Sequence, residues 1–391
     1  MLKVFVLPLL TTFNIAKMMK ERLIGQRLTF FLLSLFLVVY ALILAKDFLY
    51  PLAFGIMLSY LLYPIVNYFE KKSLPRILSI LIPILIAIIV FGGLAFFILK
   101  RVSLFLDELP MFREKTISNI ESFQHFIENE FGIPSERFKD FLLSRIFDIG
   151  TQSEKIFKTT TGTLFMILMQ PVYVFLFLYY RTKFAYFILK RVGRENREIA
   201  VMALREISTV VTRYMLGVTS VVFILCVFNA TGLLLIGIKY PLLLGVITAL
   251  FSFIPYFGNF IGGSIPFVFA LLTEDSPVYA LRILVFVYCI HFFENNILSP
   301  NIVGNNVRIN PFVIILGLIA GAMVWGIPGM MVAIPFLAML KVILKHIPGM
   351  QPYVYLLGTR GTKQHAITIS NLRRFFGDFK SRWLTRKERK G

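Results

Sequence analysis

Residues 28–45, LTFFLLSLFLVVYALILA, form an uncharged apolar run that, at about 1.5 Å per residue, is long enough to cross a bilayer core of about 30 Å. Several similar runs follow. A chain that is 57% hydrophobic and only 16% charged carries too few charges for a water-facing surface, since soluble domains hold about a quarter charged residues. The bilayer is therefore its solvent. Lipid offers no hydrogen bonds to backbone, so each crossing segment must satisfy its own amides, which selects helices. The expected fold is all-α and polytopic.

The net charge of +20 would suggest nucleic acid in a soluble protein. In a membrane protein it marks cytoplasmic loops, where Lys and Arg concentrate, and no nucleic-acid partner is expected. Lys17, Lys20, Arg22 and Arg27 place an amino-terminal interfacial segment inside, so residues 1–99 hold that segment and three spans, 28–45, 50–69 and 77–99. Residues 100–158 carry nine Lys or Arg against ten Asp or Glu, with Ile117, Ile120 and Ile127 at helical spacing, and read as an extracytoplasmic helical layer. A fourth span, interrupted at Gln170-Pro171, leads through 159–213 into a basic cytoplasmic helix. Residues 214–348 form the remaining core and 349–391 a basic cytoplasmic tail. Leu372, Phe375, Phe376, Phe379 and Trp383 make one apolar stripe in that tail, the pattern of an interfacial helix. Both termini are expected in the cytoplasm of a bacterium, with the chain in its inner membrane. Cys226 and Cys289 lie in apolar segments without metal-site spacing and read as small core residues.

Two segments do not fit single straight spans. Residues 241–272 would make a helix about 48 Å long, but Pro255, Tyr256, Phe257, Gly258 and Asn259 divide it into arms of about 14 residues, each only about 21 Å. Residues 311–345 repeat the plan, broken at Gly326, Pro328 and Gly329. The first suits a re-entrant hairpin entering from outside, the second a hairpin entering from inside. The alternative is a pair of kinked or tilted helices. With spans 214–238 and 277–298, this gives about six full spans plus two re-entrant helical hairpins in an inverted repeat, a plan that builds transport sites from discontinuous helices.

Ionisable groups within lipid are costly and so point to function. One carboxylate, Glu294, falls inside an apolar segment, beside Asn295 and Asn296 and one turn after His291. These groups offer oxygen ligands for a cation and two proton-exchanging side chains. Glu294 reads equally as a cap in the headgroup region, and His291 as a packing residue. Pro255, Gly258, Gly326, Pro328 and Gly329 would free backbone groups to bind a polar solute or ion, with Asn259 adding an amide and Tyr256 an aromatic wall; a structural kink is the alternative. Motifs for ATP hydrolysis, metalloproteolysis or a serine nucleophile are missing, so neither an enzyme nor a cofactor is expected.

Three blocks in order carry a family resemblance: LLGVITALFSFIPYFGNFIGG, ending at Gly263; FFENNILSPNIVG, 292–304; and INPFVIILGLIAGAMVWGIPGMMVAIPFLAMLKVIL, 309–344. They resemble the autoinducer-2 exporter family, also called PerM-like permeases, most closely over about 205–348. Asn259 stands where that family usually has proline, and His291-Phe-Phe-Glu294 replaces a Gln-rich approach. The resemblance implies a homo-oligomeric transporter that exports a small polar solute, or exchanges a monovalent cation such as sodium for protons. A membrane scaffold is the third reading.

Overall fold

In the computed structural model, residues 26, 29–131, 160–255, 257–274, 276–303 and 308–359 are described. Tyr256, the amino-terminal residues 1–25 expected at the interface, residues 132–159 and the tail stripe lie outside them. The described elements are helices, joined by a single isolated bridge between Ile309 and Gly358. Six are long and apolar enough to cross a membrane: Lys46–Lys71, Arg76–Leu104, Leu168–Arg191, Arg194–Ile236, Val278–Ile302 and Ile327–His346. Shorter apolar helices are Thr29–Leu44, Pro241–Phe251, Phe257–Thr273 and Pro311–Trp325. The set differs from the expected one at one place: the return arm after Gly326 is itself of spanning length. Within the first expected span, 28–45, the described helix is Thr29–Leu44.

The first three long helices pack around Leu62, Val66, Ile80, Ile84, Val174 and Leu178. Gln170-Pro171 does not interrupt the third of them. Helix Thr160–Arg191 runs through Pro171, and the Gln170 amide donates instead across to the Pro51 carbonyl at 3.1 Å. The third expected span and the start of the expected outer layer share one helix. Helix Arg76–Phe131 is continuous for 56 residues, about 84 Å at the helical rise, so it must project far beyond a core of about 30 Å. On its projecting half the Asn119 amide donates to the carbonyls of Leu271, Leu272 and Glu274 at 3.4, 3.1 and 3.0 Å.

Central helix Arg197–Ile236 joins this bundle to the second half. One of its ends contacts Ala53, Met57 and Val332 through Val211; the other packs Leu233 against Leu244, Ala270 and Ile283. Helices Pro241–Phe251 and Phe257–Thr273 fold back on each other as a first hairpin. Their arms meet closely, Thr248 Oγ1 donating to the Gly262 carbonyl at 3.0 Å, and their outer ends meet as the Lys239 amide donates to Glu274 Oε1 at 3.3 Å. Helices Pro311–Trp325 and Ile327–His346 form a second hairpin. Its ends close where Lys341 Nζ donates to the Arg308 carbonyl at 2.5 Å, and Lys345 pairs with Glu206 of the central helix at 2.7 Å. The two hairpin bases thus sit at opposite ends of the central helix. Cys226 is half-buried and packs against the core of Val221, Leu225, Ala249 and Leu298, whereas Cys289 is exposed, which corrects the core reading for the second cysteine alone.

Candidate functional site

The first hairpin reverses through tight turns in which the Ile254 amide donates to the Phe251 carbonyl and the Gly258 amide to the Ile254 carbonyl, both at 2.8 Å. Pro255 has no amide hydrogen to leave unpaired here. Space, rather than a positive φ, requires glycine at 258: a Cβ there would lie 1.7 Å from the Phe251 carbonyl oxygen. That close turn fixes the direction of the next residue, Asn259.

Asn259 organises the site. Its Oδ1 accepts from Ser252 Oγ at 2.6 Å, and its Nδ2 donates to Glu294 Oε2. Its backbone carbonyl lies 2.9 Å from His291 Nε2. Glu294 is only 7% exposed and sits at the start of a π-helical turn, Glu294–Leu298, a widening often found at functional sites. His291 Nδ1 lies 3.9 Å from Glu294 Oε2, beyond hydrogen-bond reach, and has no hydrogen-bond partner. The arrangement can hold a cation or proton at Glu294 and a polar solute on the Asn259 amide.

These groups open onto a cavity of about 810 Å³ lined by Ser252, Pro255, Asn259, Glu294 and Asn295, with Tyr214 and Val221 of the central helix. Arg308 and Thr359 line its far part, at the base of the second hairpin. Candidates Pro255, Gly258, Asn259, His291, Glu294 and Asn295 thus come together. Asn296 does not: it is exposed, and its amide donates to the Phe292 carbonyl at 2.8 Å.

The second hairpin tip lies elsewhere. Gly326 alone forms its break, at φ 67° and ψ −142°; Pro328 and Gly329 already belong to the first turn of the return arm. Gly329 lets that arm approach the Gly321 carbonyl, which a Cβ would reach at 1.9 Å. Trp325 Nε1 donates to the Leu42 carbonyl at 3.0 Å. The two tips approach through an apolar pocket of about 200 Å³ shared by Phe253, Met331, Val332 and Tyr214, while the polar groups cluster at the first tip. Sequence reasoning missed Ser252, Tyr214, Arg308 and Thr359. Ser252 could have been found as the hydroxyl just ahead of the Pro255 break.

A family model described as AI-2E family transporter matches residues 30–349. The provisionally named transport protein YrrI of Bacillus subtilis is 31% identical over 313 residues, covering 77% of this chain and 87% of that protein. A second B. subtilis protein with the same provisional description, YueF, is 27% identical over 75% of this chain and 82% of its own length. YhhT of Escherichia coli K12, also provisionally a transport protein, is 22% identical over 85% and 95%.

Proposed function

Since this chain belongs to the AI-2E transporter family, we propose that it is a secondary transporter that exports a small polar solute by alternating access. The observation that carries the reading is the buried Glu294 carboxylate held by Asn259 at a helix break and opening onto a large cavity. Broken helices of this kind present unpaired backbone and side-chain groups to cargo without exposing them to lipid. Ser252, Asn259 and Asn295 bind hydroxyl or carbonyl groups of the solute, and Glu294 its donors. The family's description points to autoinducer-2 as the first cargo to test.

Both hairpins are re-entrant in this reading. Lys341, Lys345 and the basic run Arg181 to Arg197 support a cytoplasmic position for the second hairpin's base and for both termini, in a bacterial inner membrane. The cavity then faces the cytoplasm, as loading for export requires. A homo-oligomer is the expected assembly.

Sodium/proton antiport is the second reading, favoured by the His291–Glu294 geometry. Reconstituted vesicles separate the two. Efflux of autoinducer-2 that is indifferent to sodium supports export; sodium-dependent proton movement without solute flux supports antiport. Glu294→Gln keeps the shape, so it leaves folding intact and abolishes proton-coupled movement. A wild-type protein inactive in both assays leaves the scaffold reading in place of either.

A further inference from the structure

A second built cavity lies far from the transport site, between helices Lys46–Lys71, Thr160–Arg191 and the start of the central helix. It has a volume of about 450 Å³ and is lined by Arg181 and Thr182 together with Ile56, Phe177, Ala185 and Leu204. Arg181 pairs through Nη2 with Glu70 Oε2 and stacks over Tyr63 at 5.1 Å. Arg76 backs it, donating to the Leu178 carbonyl at 3.3 Å and to Thr182 Oγ1 at 3.2 Å. Two guanidinium groups against one carboxylate leave the cluster with one excess positive charge. Its polar capacity is unspent: Arg181 Nη1, Arg76 Nε and Glu70 Oε1 are all buried and unpartnered. Such groups cost free energy until a ligand or water satisfies them.

The surroundings specify the ligand further. Ile56 lies 14 residues before Glu70 on the same helix, about 21 Å deeper at the helical rise, and Phe177 one turn deeper than Arg181. Both continue the cavity toward the middle of the bundle as a mainly apolar slot, with Ser59 and Tyr60 beside them. Phe184 and Ile188, also at its rim, are 51% and 41% exposed, so the cavity opens at the protein surface beside Arg181. A free anion would use the guanidinium and leave the slot empty; a neutral chain would leave the charge unanswered.

We propose that this cavity is a binding site for one anionic phosphoglycerolipid, of the phosphatidylglycerol class, in the leaflet on the basic side. The single phosphate charge balances the excess cation, accepting from Arg181 and Thr182 after a small turn of the guanidinium. One acyl chain follows Phe177 and Ile56. Arginine suits this role because its planar fork binds a carboxylate and a phosphate at once. The site pins the first three long helices to the central helix and is independent of the cargo reading.

The test uses the full-length protein in detergent, titrated separately with dioleoylphosphatidylglycerol, dioleoylphosphatidylcholine and sodium phosphate, with thermal midpoint and lipid retention in native mass spectra as readouts. Wild type is expected to retain one phosphatidylglycerol and to be stabilised by it, with at least tenfold weaker retention of phosphatidylcholine. Arg181→Gln should lose that preference. Ala185→Trp, which fills the headgroup end of the cavity one turn beyond Arg181 while leaving the Arg181–Glu70 pair in place, should lose retention at least tenfold and keeps the test valid if the first variant misfolds. Equal retention of both lipids, full stabilisation by sodium phosphate alone, or an Ala185→Trp protein that behaves as wild type would each overturn the assignment.

Discussion

Gly258→Ala should disable the first hairpin tip through backbone geometry alone. The added Cβ would stand 1.7 Å from the Phe251 carbonyl oxygen, whereas real contacts of this kind do not fall below 3.0 Å. The difference, 3.0 minus 1.7, requires the turn to open by at least 1.3 Å. A displacement of that size at residue 258 carries Asn259 out of reach of Glu294. Overpacking costs about 1–3 kcal/mol, and a lost hydrogen bond to a buried charged group about 1.5–3 kcal/mol. The two share a turn and do not simply add, so a loss of about 3 kcal/mol is expected. Gly92→Ala is the control: nothing lies within 4 Å of its added Cβ, and in a helix interior alanine is favoured by about 0.5–1 kcal/mol. Thermal midpoints in detergent and flux in vesicles at matched protein abundance report both effects. If Gly258→Ala melts and transports like Gly92→Ala, the close turn does not hold Asn259 on Glu294 and the reasoning fails.

Gly326→Ala should also destabilise, by about 1–3 kcal/mol, because φ 67° with ψ −142° is a backbone conformation that essentially only glycine adopts; open space around that Cβ predicts no added steric penalty, and thermal melts read the difference. Asn119→Ala removes the donor to three carbonyls, so amide exchange in the adjoining segment 274–279 should accelerate while segment 248–254 keeps its protection; equal exchange in both proteins counts against the clamp. Trp325→Phe deletes the Nε1 bond to the Leu42 carbonyl at a cost of about 1 kcal/mol, and protease access to the 45–46 junction should rise without loss of the six long helices by circular dichroism.

Glu294 was legible because it is the single carboxylate in an apolar run, and Asn259 because it closes a proline–glycine break. What sequence pattern cannot state is which side chains those breaks turn toward. The same kind of signal at Gly326 marks a turn whose neighbours are apolar and whose indole is tied to Leu42, so two similar breaks have different chemical surroundings. Tyr214 escaped notice because, within an apolar run, a cavity-lining tyrosine and a packing tyrosine look alike. The expected boundary at residue 100 lies close to the end of the apolar part at Leu104, but within one continuous helix, Arg76–Phe131. A change from apolar to mixed charge marks departure from lipid, but Glu, Lys and Arg are good helix formers, so the helix has no local reason to stop there.

The grip of Asn119 on residues 271–274 has a mechanical meaning. It clamps the first hairpin at its base, beside the junction with the central helix, to a rod that continues unbroken into the first bundle. The tip carrying Asn259 is held chiefly by side-chain contacts to Ser252, His291 and Glu294. Bonds of that kind can be exchanged without disturbing the base, so a displacement of the polar groups at the tip would leave the clamped end where the rod holds it.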